Sequence, residues 1–220
     1  MAWWTVAGKT CVAAYDAIGA ASLADSYTDE SGSGNDAAPG SAPAWGSGVG
    51  WTFSDSEYLT TGVTAADGYS AIVRFSGAVG GGSAGPVFGG TTTGTSRFSI
   101  YPYQATNKVF YGQGGSLEVA PNLAAGVLAI AGQKGYRDGS ADAGTIGAWS
   151  GGGTAVFIGA RNIGGGPSGK FTGVIQAFAM YSGTLSGAEV AALTTAINAL
   201  PTSAGSVPIM MLQQHAAGWV

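Results

Sequence analysis

The sequence predicts an all-β fold, an antiparallel jelly-roll β-sandwich that ends in one short C-terminal helix. Three observations carry that expectation. From Gly50 onward, short runs of Val, Ile, Phe and Tyr recur at roughly 8–14 residue spacing, as in a sandwich or barrel. Glycine supplies 40 of the 220 residues, and many of them separate those runs. A helical period is found in one stretch, at 185–201.

Taken in order, residues 1–48 are read as an irregular N-terminal segment packed on the body. Within it, SYTDESGSGNDAAPGSAPAWGSG (26–48) has the composition of a loop, pinned by Trp45 and the nearby Trp51. WTFSDSEYLTTGV (51–63) alternates and is expected to turn at Gly62. In YSAIVRFSG (69–77), Ile72 and Arg74 share one face, and Val73 and Phe75 share the other. Strand patterns follow at 85–90, 97–103, 107–113, 123–139, 154–162 and 171–183. The runs VLAIA and AVFIGA are apolar on both faces, which fits strands lying between two layers. The helix is expected over about 186–200. Ser186 and Glu189 form a capping box, Val190, Leu193, Ile197 and Leu200 make one apolar stripe, and Pro201 stops it. The sandwich with its helix spans 49–200, and 201–220 is an apolar tail. No repeat or shift of composition divides the chain, so it reads as a single domain.

Composition excludes several classes. The chain is 45% hydrophobic with net charge −4, unlike a disordered segment, and glycine has no collagen period. Eight scattered Lys and Arg residues give no nucleic-acid footprint. Cys11 is the sole cysteine, so no internal disulfide forms, and it reads as a small buried hydrophobe; His215 is the sole histidine. No cationic region precedes the first apolar residues, and Lys9 and Asp16 interrupt them, so no signal peptide is recognised. No run is long enough for a membrane span. Charged residues make up 9%, against about 25% in ordinary soluble proteins. Such a surface is easily desolvated and suits packing against copies of itself.

A family resemblance rests on the C-terminal half. Y-R-D-G (136–139), F-I-G-A-R-N (157–162), F-T-G-V-I (171–175), A-M-Y (179–181), L-S (185–186) and A-E-V (188–190) follow one another in order. This series resembles laminin-G-like and concanavalin A-like lectin-glucanase jelly-roll domains over about 60 residues. G-W-T-F-S-D-S-E-Y-L-T-T-G (50–62) and Y-S-A-I-V-R-F (69–75) are similar to that family's early strands. The first 48 residues are similar to leaders of small stand-alone jelly-roll proteins in phage structural gene sets. The resemblance implies two face-to-face sheets and a superfamily of glycanases, lectins, adhesion modules and particle-surface proteins.

Chemistry is sparse. A glycanase needs two carboxylates facing each other across a groove, and the family's E-x-D-x-E run is absent. Asp55 and Glu57 form an i, i+2 pair in what looks like a turn. A calcium ion, which the resemblance allows, would take Asp67, Asp138 or Asp142; Asp138-Gly139 and Asp67-Gly68 also read as hairpin turns. The acidic loop with Asp25, Asp29, Glu30 and Asp36 is read as solvated, although it could hold a cation. Glycine runs at 80–85, 151–153 and 164–169 are read as hairpin tips. Candidate glycan ligands are Trp149, Tyr136, Arg137, Arg161 and Asn162, with Tyr101, Tyr103 and Tyr111 as further aromatic faces. In the tail, Ile209, Met210, Met211, Leu212 and Trp219 are candidates for a partner interface or for folding back on the body. The expected function is a non-enzymatic structural or interaction protein of a phage-like particle or multi-copy surface assembly, contacting its own copies and neighbouring particle proteins. The expected location is a virion or extracellular assembly. A carbohydrate-binding module or adhesin is the first alternative, and a glycoside hydrolase the second.

Overall fold

A computed structural model describes residues 2–79, 85–91, 97–104, 107–113, 115–149 and 153–202. Two sheets face each other. The first is ordered β13 (Ser140–Ala141), β12 (Lys134–Arg137), β11 (Gly126–Ala131), β6 (Ser70–Ser76), β17 (Thr172–Tyr181), β4 (Gly50–Ser54) and β3 (Ala44–Gly46), with β1 (Cys11–Asp16) also paired to β17. The second is ordered β10 (Ser116–Val119), β9 (Lys108–Gly112), β8 (Arg97–Gln104), β7 (Phe88–Thr91), β14 (Ala155–Ile158), β5 (Tyr58–Thr64) and β2 (Ala38–Ser41). A hairpin of β15 (Ala160–Ile163) and β16 (Gly166–Lys170) joins the second sheet where β15 runs parallel to β7; the other pairings are antiparallel. Among the described residues there is one α-helix, α1 (Gly187–Asn198), and none is long and apolar enough to cross a membrane.

Strand alternation produces the core. Val73 and Phe75 of β6 point between the sheets, while Ile72 points outward, as the sequence predicts. Phe88 of the second sheet meets Phe178 of the first edge-on at 5.2 Å between ring centroids, so the two layers interlock through aromatic side chains. Trp51, Tyr15 and Phe98 fill the same layer.

The outward face of the first sheet makes a second cluster. Ile72, Val127, Ala129, Ala177, Ala179 and Tyr181 lie under Leu185, Val190, Leu193 and Ile197. Small alanines at the sheet centre let the helix approach closely. The capping box is formed: the Ser186 amide donates to Glu189 Oε2 at 2.6 Å, and the Glu189 amide donates to Ser186 Oγ at 3.3 Å. The other end has no glycine cap. Arg74, projecting from β6 beside Ile72, instead donates from Nη1 to the carbonyls of Ile197 (3.0 Å) and Leu200 (3.2 Å).

Several expectations are corrected. The first 48 residues are not irregular throughout. CVAAYD pairs with β17 in full register apart from one bulge, and 38–41 and 44–46 are short strands. Its alternation is carried by alanines, with Ala13 and Tyr15 facing the core and Ala14 facing the outer cluster, so the pattern is faint. The run 51–63 is two strands in different sheets, joined where Asp55 takes φ 80°. Gly62 is not the turn. It lies inside β5 at φ 70°, where the pairing with β14 shifts register. Within 164–169, Gly164 and Gly165 form the tip and the rest is β16. The runs at 80–84 and 150–152 lie outside the described residues, as does the tail from 203, including Ile209, Met210, Met211, Leu212 and Trp219.

Candidate ligand-binding face

The outer face of the second sheet has a different composition. Across five strands, Phe157, Gly89, Ser99, Gly112 and Ser116 stand in register. The three central residues are small, and larger neighbours occupy the space above them. A methyl group on Gly89 would come within 3.2 Å of Arg161 Cα and 3.1 Å of Ser99 Cβ. One on Gly112 would come within 3.1 Å of Arg97 Cβ, 3.0 Å of Phe110 Cε1 and 3.3 Å of Ser99 Oγ. Arg97, Arg161 and Phe110 therefore converge over Ser99.

Tyr101 completes the group. Its ring meets Phe110 edge-on at 5.3 Å and 87°, and the guanidinium of Arg97 stands 5.7 Å from the Phe110 ring centre. Burial raises the Tyr101 phenol above its ordinary pKa, against the opposing pull of Arg161 and Arg97. Both rings are buried and both arginines are half-buried, so an approaching molecule meets guanidinium first. Two buried donors in the group have no acceptor among the described residues: Ser99 Oγ, on a fully buried side chain, and Arg161 Nε. Neither Arg97 nor Arg161 has an ion pair among the described residues. Glu118, opposite Phe110 on β10, is held by Lys108 at 3.2 Å.

Arg161 and Tyr101 were predicted from sequence and come together here. Arg97, Ser99 and Phe110 were not singled out. The alternation of RFSIY already places Arg97, Ser99 and Tyr101 on one face, and that signal could have found two of them.

The remaining predicted residues lie elsewhere. Tyr136 is buried beneath α1. Arg137 donates to the carbonyls of Pro121 (2.8 Å) and Val119 (3.3 Å) and lies 3.5 Å from Asp142. Asp142 also accepts from the Tyr111 hydroxyl at 2.6 Å. Asp138 sits in its turn at φ 47° and accepts from the Val127 amide at 2.8 Å. Asp67 is exposed in the turn that contains Gly68. Among the described residues, no three His, Cys, Asp or Glu side chains gather to hold a metal, and Asp67, Asp138 and Asp142 do not converge. Asn162 is buried, donating to Ala155 O and accepting from the Gly165 amide, each at 2.9 Å. Trp149 is half-buried against the core, and Tyr103 is half-buried near the end of β8.

The acidic loop is not simply solvated. Asp29 is 6% exposed and accepts from the amides of Ala14 (2.9 Å), Ser31 (2.9 Å) and Asn35 (3.0 Å). Burial pushes its pKa up, but the hydrogen bonds from Asn35, Ser31 and Ala14 outweigh that and hold it below the ordinary value. It pins the loop to β1. Glu30 is raised by burial and then by its neighbours Asp16 and Asp29, yet Asp16 is occupied in capping the turn to Gly19. Glu57 folds back onto Ser54 and Ser56, which hold its pKa at about 2 despite slight burial. Its carboxylate is thereby engaged in the turn between β4 and β5.

The other sheet's outer side offers an apolar groove of about 310 Å³ between residues 2–7 and α1. Its one carboxylate, Glu189, is taken by the capping box and Lys9.

No protein-family model matches the chain, and no curated protein matches it. Solved structures do. Domain 4 of AbnA, a GH43 extracellular arabinanase from Geobacillus stearothermophilus solved with arabinotriose, superposes with TM-score 0.59 at 14% identity, covering 84% of this chain and 98% of that one. The Trypanosoma rangeli sialidase, solved with 2,3-difluorosialic acid, gives TM-score 0.62 at 15% identity; 90% of this chain is covered, which spans 34% of the sialidase. A mutant of HCR/D gives TM-score 0.56 at 9% identity, with 84% and 51% covered. At such identities the likeness is one of fold, a jelly-roll-like sandwich.

Proposed function

We propose that this chain is a non-catalytic carbohydrate-binding module that meets its glycan on the outer face of the second sheet, around Arg97, Tyr101, Phe110 and Arg161. One observation carries the reading: two half-buried arginines, Arg97 and Arg161, converge on this face with no ion pair among the described residues. The N–H groups of a guanidinium fork are donors, and the hydroxyls of a sugar supply acceptors. The sandwich architecture supports the reading, since it recurs in proteins solved with saccharides. The family resemblance in the strands from Tyr136 to Val190 points the same way. The non-catalytic part rests on the carboxylates being committed to turns, caps and amides.

A glycan array probed with the whole chain, with and without calcium, tests this. Binding that disappears in an Arg97→Gln, Arg161→Gln double variant is expected. Binding to no glycan, or binding unaffected by that variant, contradicts it.

A second element of the proposal is that the module works in many copies on a particle or surface, of which a phage-like virion is one form. The 9% charge supports it, together with exposed Val49, Val79 and Ile163. Sedimentation at high concentration is expected to show self-association, and a strict monomer contradicts it.

A further inference from the structure

The charge distribution on that face carries the reading one step further. Eight cations serve the whole chain, whose net charge is −4. Most of those outside the face are engaged. Arg74 caps α1, Arg137 is tied to two carbonyls and Asp142, Lys9 meets Glu189, and Lys134 donates to the Gly144 carbonyl. On the face, Arg97 and Arg161 converge over Ser99 without a carboxylate, because the neighbouring Glu118 is already neutralised by Lys108. A locally uncompensated positive site is thus maintained on an acidic protein. Both guanidiniums are half-buried, that of Arg97 standing over the Phe110 ring, and a guanidinium offers a planar fork of donors that matches a carboxylate or sulfate. A neutral sugar would satisfy the donors but leave both charges unpaired.

Resting on the carbohydrate-binding reading above, we infer that the glycan recognised here is anionic, a polysaccharide bearing carboxylate or sulfate groups, with Arg97 and Arg161 gripping the acidic group. The aromatic pair then serves to position the arginines and not as a platform for the sugar ring, since Tyr101 is 9% and Phe110 4% exposed.

Matched probes separate the two levels. Oligogalacturonate is compared with its methyl ester, and dextran sulfate with dextran, by titration calorimetry at low and high salt. The pair that binds tells carboxylate from sulfate. Binding of the acidic member at least about tenfold tighter than its neutral partner is expected, with the advantage shrinking as salt rises. Arg161→Gln is expected to remove about tenfold of the acidic affinity, and Arg161→Lys to restore only part of it, because lysine keeps charge without the fork. Lys134→Gln, on the other sheet, removes the same charge and is expected to leave binding unchanged. Thermal melts of each variant establish that it is folded. Equal binding of acidic and neutral members overturns the anionic inference while leaving the glycan reading intact. Binding to neither overturns both. Equal binding of a double-stranded DNA oligomer and dextran sulfate, or an equal loss in Lys134→Gln, also overturns it, because bulk charge would then be the cause.

Discussion

The two outer faces of the sandwich have opposite fates. On the first sheet, alanines at the centre admit α1, and the side chains of Val190, Leu193 and Ile197 cover the strands. The charged residues there work for the fold, with Arg74 on the helix carbonyls and Glu189 in the cap. On the second sheet, glycines and Ser99 admit arginines in place of a helix, and those arginines have no ion pair among the described residues. Small residues at a sheet centre therefore create space on both faces, and what fills it decides between stability and recognition. A face filled by the chain's own apolar side chains is closed. One filled by guanidinium can still take a ligand.

Substitutions sharpen that contrast, beginning on the closed face. Leu193→Ala removes a buried side chain between α1 and the sheet and is expected to cost about 2–4 kcal/mol, measured by denaturant unfolding, without altering ligand affinity. Next is Asp29→Ala, which orphans the Ala14, Ser31 and Asn35 amides and is expected to cost roughly 2–3 kcal/mol.

Asp29 also imposes a pH dependence. Its folded pKa lies below the ordinary 3.8, so the native state favours the ionised form. That stability is fully present above the unfolded pKa and is lost as pH falls from about 4 through the depressed folded value. Asp29→Asn is expected to flatten that acid limb in melts recorded between pH 5 and pH 2. An unchanged limb would place the effect elsewhere. Arg74→Met removes the side-chain donor from the Ile197 and Leu200 carbonyls and is expected to cost about 1–2 kcal/mol, with faster amide exchange confined to the end of the helix. The smallest stability change is expected on the open face. Arg97→Gln with Arg161→Gln should alter stability by less than about 0.5 kcal/mol while abolishing binding. A large loss of stability there would make the arginines structural and erase the contrast.

Local signals were legible in the sequence, and cross-strand ones were not. The capping box and the stripe from Val190 to Leu200 predict α1 to within two residues at its C-terminal end, because both are short-range patterns. The alternation of Ile72 and Val73 reports a strand with two apolar sides. β1 was hidden because alanine suits either a core or a surface, and the break between β4 and β5 because one alternating run feeds two sheets. For the candidate face, the phase of RFSIY gives Arg97, Ser99 and Tyr101. Their meeting with Phe110 and Arg161 depends on the registers of β8 with β9 and of β7 with β15, which no local pattern encodes. Arg137, Asp138 and Asp142 looked available as ligands because sequence does not reveal that Pro121, Val127 and Tyr111 already engage them.

Hydrogen exchange of the whole chain with and without saturating dextran sulfate or oligogalacturonate tests most directly which face is open. Slowed exchange in 97–101, 108–112 and 160–163, with α1 and 2–11 unchanged, is the predicted result. Protection concentrated on α1 and the N-terminal residues, with the arginine face unaffected, would contradict it.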